Sequence, residues 1–161
     1  MKTRNPIAVL GLSLILAGCA TSPKLVLDRV GPSTELAPTK SNHGNLVVYS
    51  AGSPTMNLVD PDTVLFTDYT VRSNDGAVYR QVRNWVSKLM REPATVALPA
   101  GDYTVEAESS CCGTVRVPVL VEASRTTTVY LDGESRPGFK GFEAASLVSL
   151  PDGYVVGLRA K

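Results

Sequence analysis

The chain has 161 residues and is 43% hydrophobic, with 16 Lys and Arg against 15 Asp and Glu. That balance leaves no charge excess to attract a polyanion, and one His, three Cys and 6% aromatic residues are little material for a metal cluster, a His-based catalytic constellation or a nucleic-acid stacking platform. The length suits one modest domain.

At the N-terminus, Lys2 and Arg4 flank an apolar stretch, residues 7–18, that ends in small residues. This is the pattern of an export signal. A bilayer-spanning helix needs about 20 apolar residues, and this run stops at Thr21, Ser22, Pro23 and Lys24. The segment Leu16-Ala17-Gly18-Cys19 resembles the lipobox of bacterial lipoproteins. The resemblance implies that residues 1–18 are a lipoprotein signal peptide and that the Cys19 thiol carries a diacylglycerol at the mature N-terminus. With Ala20 rather than Asp after the cysteine, it also implies sorting to the outer membrane of a Gram-negative cell. The competing reading is an ordinary secretory signal with an incidental cysteine. Lipidation makes the membrane a partner through the anchor. Each buried methylene contributes about 0.8 kcal/mol, so several acyl chains hold a protein on a membrane. No other cofactor is expected.

Removing the signal takes away Lys2 and Arg4, leaving 14 basic against 15 acidic residues and a net charge of −1. Such a surface is not expected to bind nucleic acid or a membrane by charge. Export also places the chain where disulfides persist.

Residues 19–44 read as a lipid-anchored linker, because Pro23, Pro32, Pro38 and many Ser and Thr suit a tether lifting the domain off the lipid surface. Within it, Leu25-Val26-Leu27 is either a short first strand or an apolar patch, and His43 reads as a solvated linker histidine.

Beyond Gly44, short runs rich in Val, Thr and Tyr recur between turn residues, the mark of an all-β domain. Strands are expected near Leu46–Ser50, Thr67–Ser73, Ala77–Arg83, Ala94–Leu98, Tyr103–Glu108, Thr114–Glu122 and Arg125–Leu131. Residues 84–90 compete as a helical turn. About seven strands suit a small immunoglobulin-like or transthyretin-like β-sandwich over residues 45–132. Residues 133–161 then form a C-terminal extension with a short hairpin, Ser146–Leu150 and Tyr154–Arg159, around Pro151-Asp152-Gly153.

Alternation predicts one register in detail. Tyr103, Val105 and Ala107 share a face, as do Val115, Val117, Val119 and Val121. Joining the apolar faces puts Ala107 opposite Val115, Val105 opposite Val117 and Glu106 opposite Arg116 on the solvent side. The hairpin loop then centres on Cys111, as three residues or five.

Cys111-Cys112 admits three readings. A vicinal disulfide suits an oxidising compartment, but two Cα atoms joined by one trans peptide lie about 3.8 Å apart, below the usual disulfide range, so the ring is strained and easily reduced. A soft-metal site lacks a third ligand nearby. The third reading is a pair of ordinary loop residues.

The run Leu98-Pro99-Ala100-Gly101-Asp102-Tyr103-Thr104-Val105, the Val-rich strand after it and Val121-Glu122-Ala123-Ser124-Arg125-Thr126-Thr127-Thr128-Val129 resemble the carboxypeptidase regulatory-like, transthyretin-like β-sandwich. The resemblance covers about residues 94–131 and implies that fold and an accessory module rather than an activity. Longer connections around residues 53–62 and 86–92 depart from the family pattern, so it implies no strand order for the N-terminal half.

Asp60, Asp62 and Asp68 form an acidic cluster that reads as turn capping rather than a Ca²⁺ loop, since it lacks the Gly and the terminal bidentate Glu. If Asn74-Asp75-Gly76 is a three-residue hairpin loop, Val71 faces Tyr79, with Tyr69 on the same face and Trp85 close by. Those three rings are either a carbohydrate platform or part of the core. The expected role is a non-catalytic structural or protein-interaction module of the cell envelope, with an envelope protein or glycan as partner. The alternative is a carbohydrate-binding lipoprotein.

Overall fold

The computed structural model describes residues 24–33, 42–54, 64–84, 92–134, 138–139 and 141–161. Among them are twelve strands: β1 (Leu25–Val26), β2 (His43–Tyr49), β3 (Gly52–Pro54), β4 (Val64–Phe66), β5 (Tyr69–Ser73), β6 (Val78–Val82), β7 (Thr95–Pro99), β8 (Gly101–Ser109), β9 (Gly113–Val121), β10 (Thr126–Tyr130), β11 (Leu147–Ser149) and β12 (Val155–Leu158). A single 3₁₀ turn, Ala144–Ser146, is the one helical element among the described residues. The fold is all-β and sandwich-like, with twelve strands where seven were expected in the sandwich and two in the C-terminal hairpin. The other three are short: β1, which realises the strand reading of Leu25-Val26-Leu27, and β3 and β4, which were not expected. The competing reading of a helical turn over residues 84–90 falls almost entirely outside the described residues.

A five-stranded sheet, ordered β1-β9-β8-β5-β6, packs with a three-stranded sheet, β10-β2-β7, while β11-β12 and β3-β4 form separate pairs. The β8–β9 hairpin has the register that burial demands: Ala107 faces Val115, Val105 faces Val117 and Glu106 faces Arg116. Val105, Ala107, Val115, Val117, Val119 and Val121 point into the core, where they meet Leu46, Val48, Leu98 and Val129 of the smaller sheet. Each fully buried Val or Leu contributes about 1.5–3 kcal/mol.

Parallel pairing closes the structure. β2 runs parallel to β10, with Tyr49 beside Tyr130, and β1 runs parallel to β9, with Leu25 beside Val115. Residues 24–33 therefore belong to the folded body. Val30 is fully buried, and it bridges Val119 on one side and Arg159 on the other. The segment breaks step between Val26 and Val30, next to Pro118, which has no N–H to offer a neighbour. The Leu27 amide donates to the Arg116 carbonyl and the Val30 amide to the Pro118 carbonyl. The C-terminal hairpin is equally integral, because Val148, Leu150 and Val156 join the same core.

Two glycines mark backbone that a side chain would disrupt. A Cβ on Gly44 would lie 2.1 Å from the Glu122 carbonyl, so β2 approaches the β9–β10 turn only without one. Gly76, at φ +84°, ends the β5–β6 turn in the left-handed region. His43, expected in a linker, instead opens β2 opposite Pro99, exposed at the sheet's end.

Candidate functional site

The outer face of the five-stranded sheet concentrates the polar chemistry. Glu106 sits at the centre of β8 with its side chain only 11% exposed. Arg116 Nε lies 3.5 Å from its Oε2 and Arg72 Nε 3.0 Å, while Lys24 Nζ pairs with Oε1. One carboxylate therefore ties together β1, β5, β8 and β9. Two residues along, Glu108 accepts a hydrogen bond from the Thr114 hydroxyl. A cleft of about 530 Å³ lies beside this cluster, lined among others by Thr70, Gln81, Arg83 and Glu108. Glu106 is thus shared by three cations, and Glu108 is bound to a hydroxyl. Among the described residues, no group of three His, Cys, Asp or Glu is placed to hold a metal ion.

Asn84 is the other polar hub, fully buried. Its side-chain amide donates to the Val48 carbonyl at 2.8 Å and the Ser50 hydroxyl at 2.9 Å, and its carbonyl accepts the Ala94 amide at 3.1 Å. Its backbone N–H donates to Asp68, so the Asp68 carboxylate holds a connection in place. Asp60 and Asp62 lie outside the described residues.

Cys111 and Cys112 are joined by a disulfide at the β8–β9 tip. The loop is three residues long, since Ser109 pairs with Gly113. The Ser109 hydroxyl donates to the Gly113 carbonyl and accepts the Cys112 amide. Cys111 is exposed, and Cys112 is half-buried against the core.

Tyr69 and Tyr79, two of the three rings considered for a carbohydrate platform, do not share an open face. Tyr69 is 3% exposed and part of the core. Burial pushes its phenol pKa upward, the largest effect, with Arg80 partly offsetting it. Tyr79 is 49% exposed and leans edge-on against Tyr103, with ring centroids 5.4 Å apart. Val71 faces Arg80 rather than Tyr79, because a bulge in β6 leaves Tyr79 as the extra residue. Trp85 lies outside the described residues, as does Cys19.

A different aromatic group was not anticipated from the sequence. On the outer side of the smaller sheet, Tyr49 stacks on Tyr130 with centroids 4.8 Å apart. Phe66 meets Tyr49 edge-on, and Phe139 meets Tyr130 and then Phe142 in the same way. Alternation turns Tyr49 and Tyr130 outward, but only the parallel β2–β10 register brings them together. Burial raises the Tyr49 pKa, with Glu92 and Asp132 adding to the shift. These rings spend their faces and edges on one another. They form a half-buried cluster of stacked and edge-to-face rings, with Phe142 exposed at its end, rather than a flat open platform. No protein-family model matches the chain, and it has no significant match among curated proteins or solved structures.

Proposed function

We propose that this chain is a cell-envelope lipoprotein that acts as a non-catalytic structural or protein-interaction module, anchored through lipid on Cys19. The observation that carries the reading is how soon the fold begins after the lipobox: Lys24, five residues beyond Cys19, is already ion-paired to Glu106, and Leu25 is already in the sheet. A short link from lipid to a cross-braced sandwich suits a module displayed at a membrane. Among the described residues, Glu106, Glu108 and Asn84 spend their polar atoms on structural contacts, which suits a non-catalytic module. The edge strand β6 leaves exposed Val78 and Tyr79 at the rim of the larger sheet, where a partner strand has backbone to pair with.

The test is export and lipidation of the full chain and its Cys19→Ser variant in a Gram-negative host supplied with labelled fatty acid. Label on the wild type and membrane retention, both lost in the variant, support the reading. Equal labelling and fractionation of the two overturn it.

A further inference from the structure

Resting on the lipid-anchor reading, we infer that the β8–β9 hairpin tip, Ser110-Cys111-Cys112, is the part of the domain that touches the phospholipid headgroup surface. The inference follows from where the chain enters the fold. Because β1 runs parallel to β9, with Leu25 beside Val115, Lys24 lies at the Thr114 level, next to the tip. Only residues 20–23 separate Lys24 from Cys19. Five residue steps span at most about 18 Å when fully extended. The turn at residues 122–125 lies at the other end of β9, about 26 Å further along at roughly 3.3 Å per residue. An orientation with that turn on the bilayer would carry Lys24 beyond the reach of its link, so the tip end is the membrane-proximal one.

The chemistry of the tip suits that place. Residues 109–113 carry no charge, and the disulfide removes two thiols that would otherwise titrate. What remains exposed at Cys111 is an uncharged disulfide in place of an ionisable thiol. The flank of the larger sheet presents Lys24, Arg72, Arg116 and Glu106 instead, charged groups satisfied by one another and by water. Asp132 and Glu134 follow β10 near the tip, where the Ser110 amide donates to the Leu131 carbonyl. Lys24, beside the tip, is spent on Glu106, so the negative charge of Asp132 and Glu134 prevails there and favours a zwitterionic rather than an anionic surface. The occupant is therefore the zwitterionic phospholipid surface in which the Cys19 lipid is embedded.

The experiment reconstitutes the full lipidated chain in phosphatidylcholine vesicles that carry a nitroxide quencher on the choline headgroup. Two reporters are compared in a Trp85→Phe background: Ser110→Trp at the tip and Ala123→Trp at the far turn. The expected result is loss of emission from Ser110→Trp, with that from Ala123→Trp unchanged. Equal loss at both sites, loss at the far turn alone, or no loss at either overturns the inference. Amide exchange of the unsubstituted lipidated chain gives the same answer if a variant fails to fold: vesicles should slow residues 110–113 and leave residues 122–125 as in the Cys19→Ser chain. Flotation with the vesicles separates the two claims. A chain that does not float refutes the anchor, and one that floats with an unquenched tip refutes only the contact.

Discussion

Leu25 pairs in parallel with Val115, which makes part of the expected linker an edge of the larger sheet. Val30, five residues later, is fully buried between β9 and the C-terminal strand. Val30→Ala should therefore cost about 2–3 kcal/mol, in the range of large-to-small core changes. The measurement is urea unfolding, where the midpoint should fall with an unchanged slope. A residue in a free tether would change stability by less than about 0.5 kcal/mol, and that outcome would remove residues 24–33 from the fold.

Glu106 is asymmetric with respect to its partners. Glu106→Gln leaves Lys24, Arg72 and Arg116 around a neutral group and should cost about 1–3 kcal/mol, less than for a fully buried pair because the cations are 31–46% exposed. Arg116→Ala removes one of three cations and should cost under about 1 kcal/mol. Equal losses from the two substitutions in chemical denaturation would contradict a shared carboxylate.

Tyr69 buries a hydroxyl that has no hydrogen-bond partner among the described residues. Replacing it with Phe deletes an unpaired polar atom and keeps the ring. Tyr69→Phe should be neutral or stabilise by up to about 1 kcal/mol. A loss above about 1 kcal/mol in thermal unfolding would mean that the hydroxyl has a partner the fold depends on.

Asp75 supplies a pH-dependent increment. The Ser73 hydroxyl, at 2.5 Å, and the Ala77 amide, at 3.1 Å, both donate to its carboxylate and hold its pKa below the ordinary value of 3.8. A depressed folded value means that the stabilisation is fully present above the unfolded pKa and is lost as pH falls through the folded one. The stability gap between wild type and Asp75→Ala should therefore be constant from pH 5 to 7 and shrink below the unfolded pKa. A gap that widens on acidification would reverse the assignment.

The parts of this fold that alternation alone determines were legible in the sequence. Burying Val105, Ala107, Val115 and Val117 together rules out every register one residue out of step, and with a short loop at Ser110–Cys112 Glu106 falls opposite Arg116. Lys24 and Arg72 reach the same carboxylate from strands far away in sequence, so half of that cluster is a product of topology. The bulge at Tyr79 was hidden because Val78, Tyr79 and Arg80 suit an edge strand in either register, and one residue of slip moves a ring to another face. Residues 24–33 were half legible. Leu25-Val26-Leu27 reads equally as a short strand or an apolar patch, and only the parallel pairing with β9 shows that Leu25, Leu27 and Val30 pack against the core.

The most direct measurement is the intact mass of the protein extracted from membranes. A lipid-anchored envelope module predicts a chain beginning at Cys19 with the added mass of a diacylglyceryl group, and no such species from Cys19→Ser. An unmodified N-terminus, or a mass that retains residues 1–18, would contradict it.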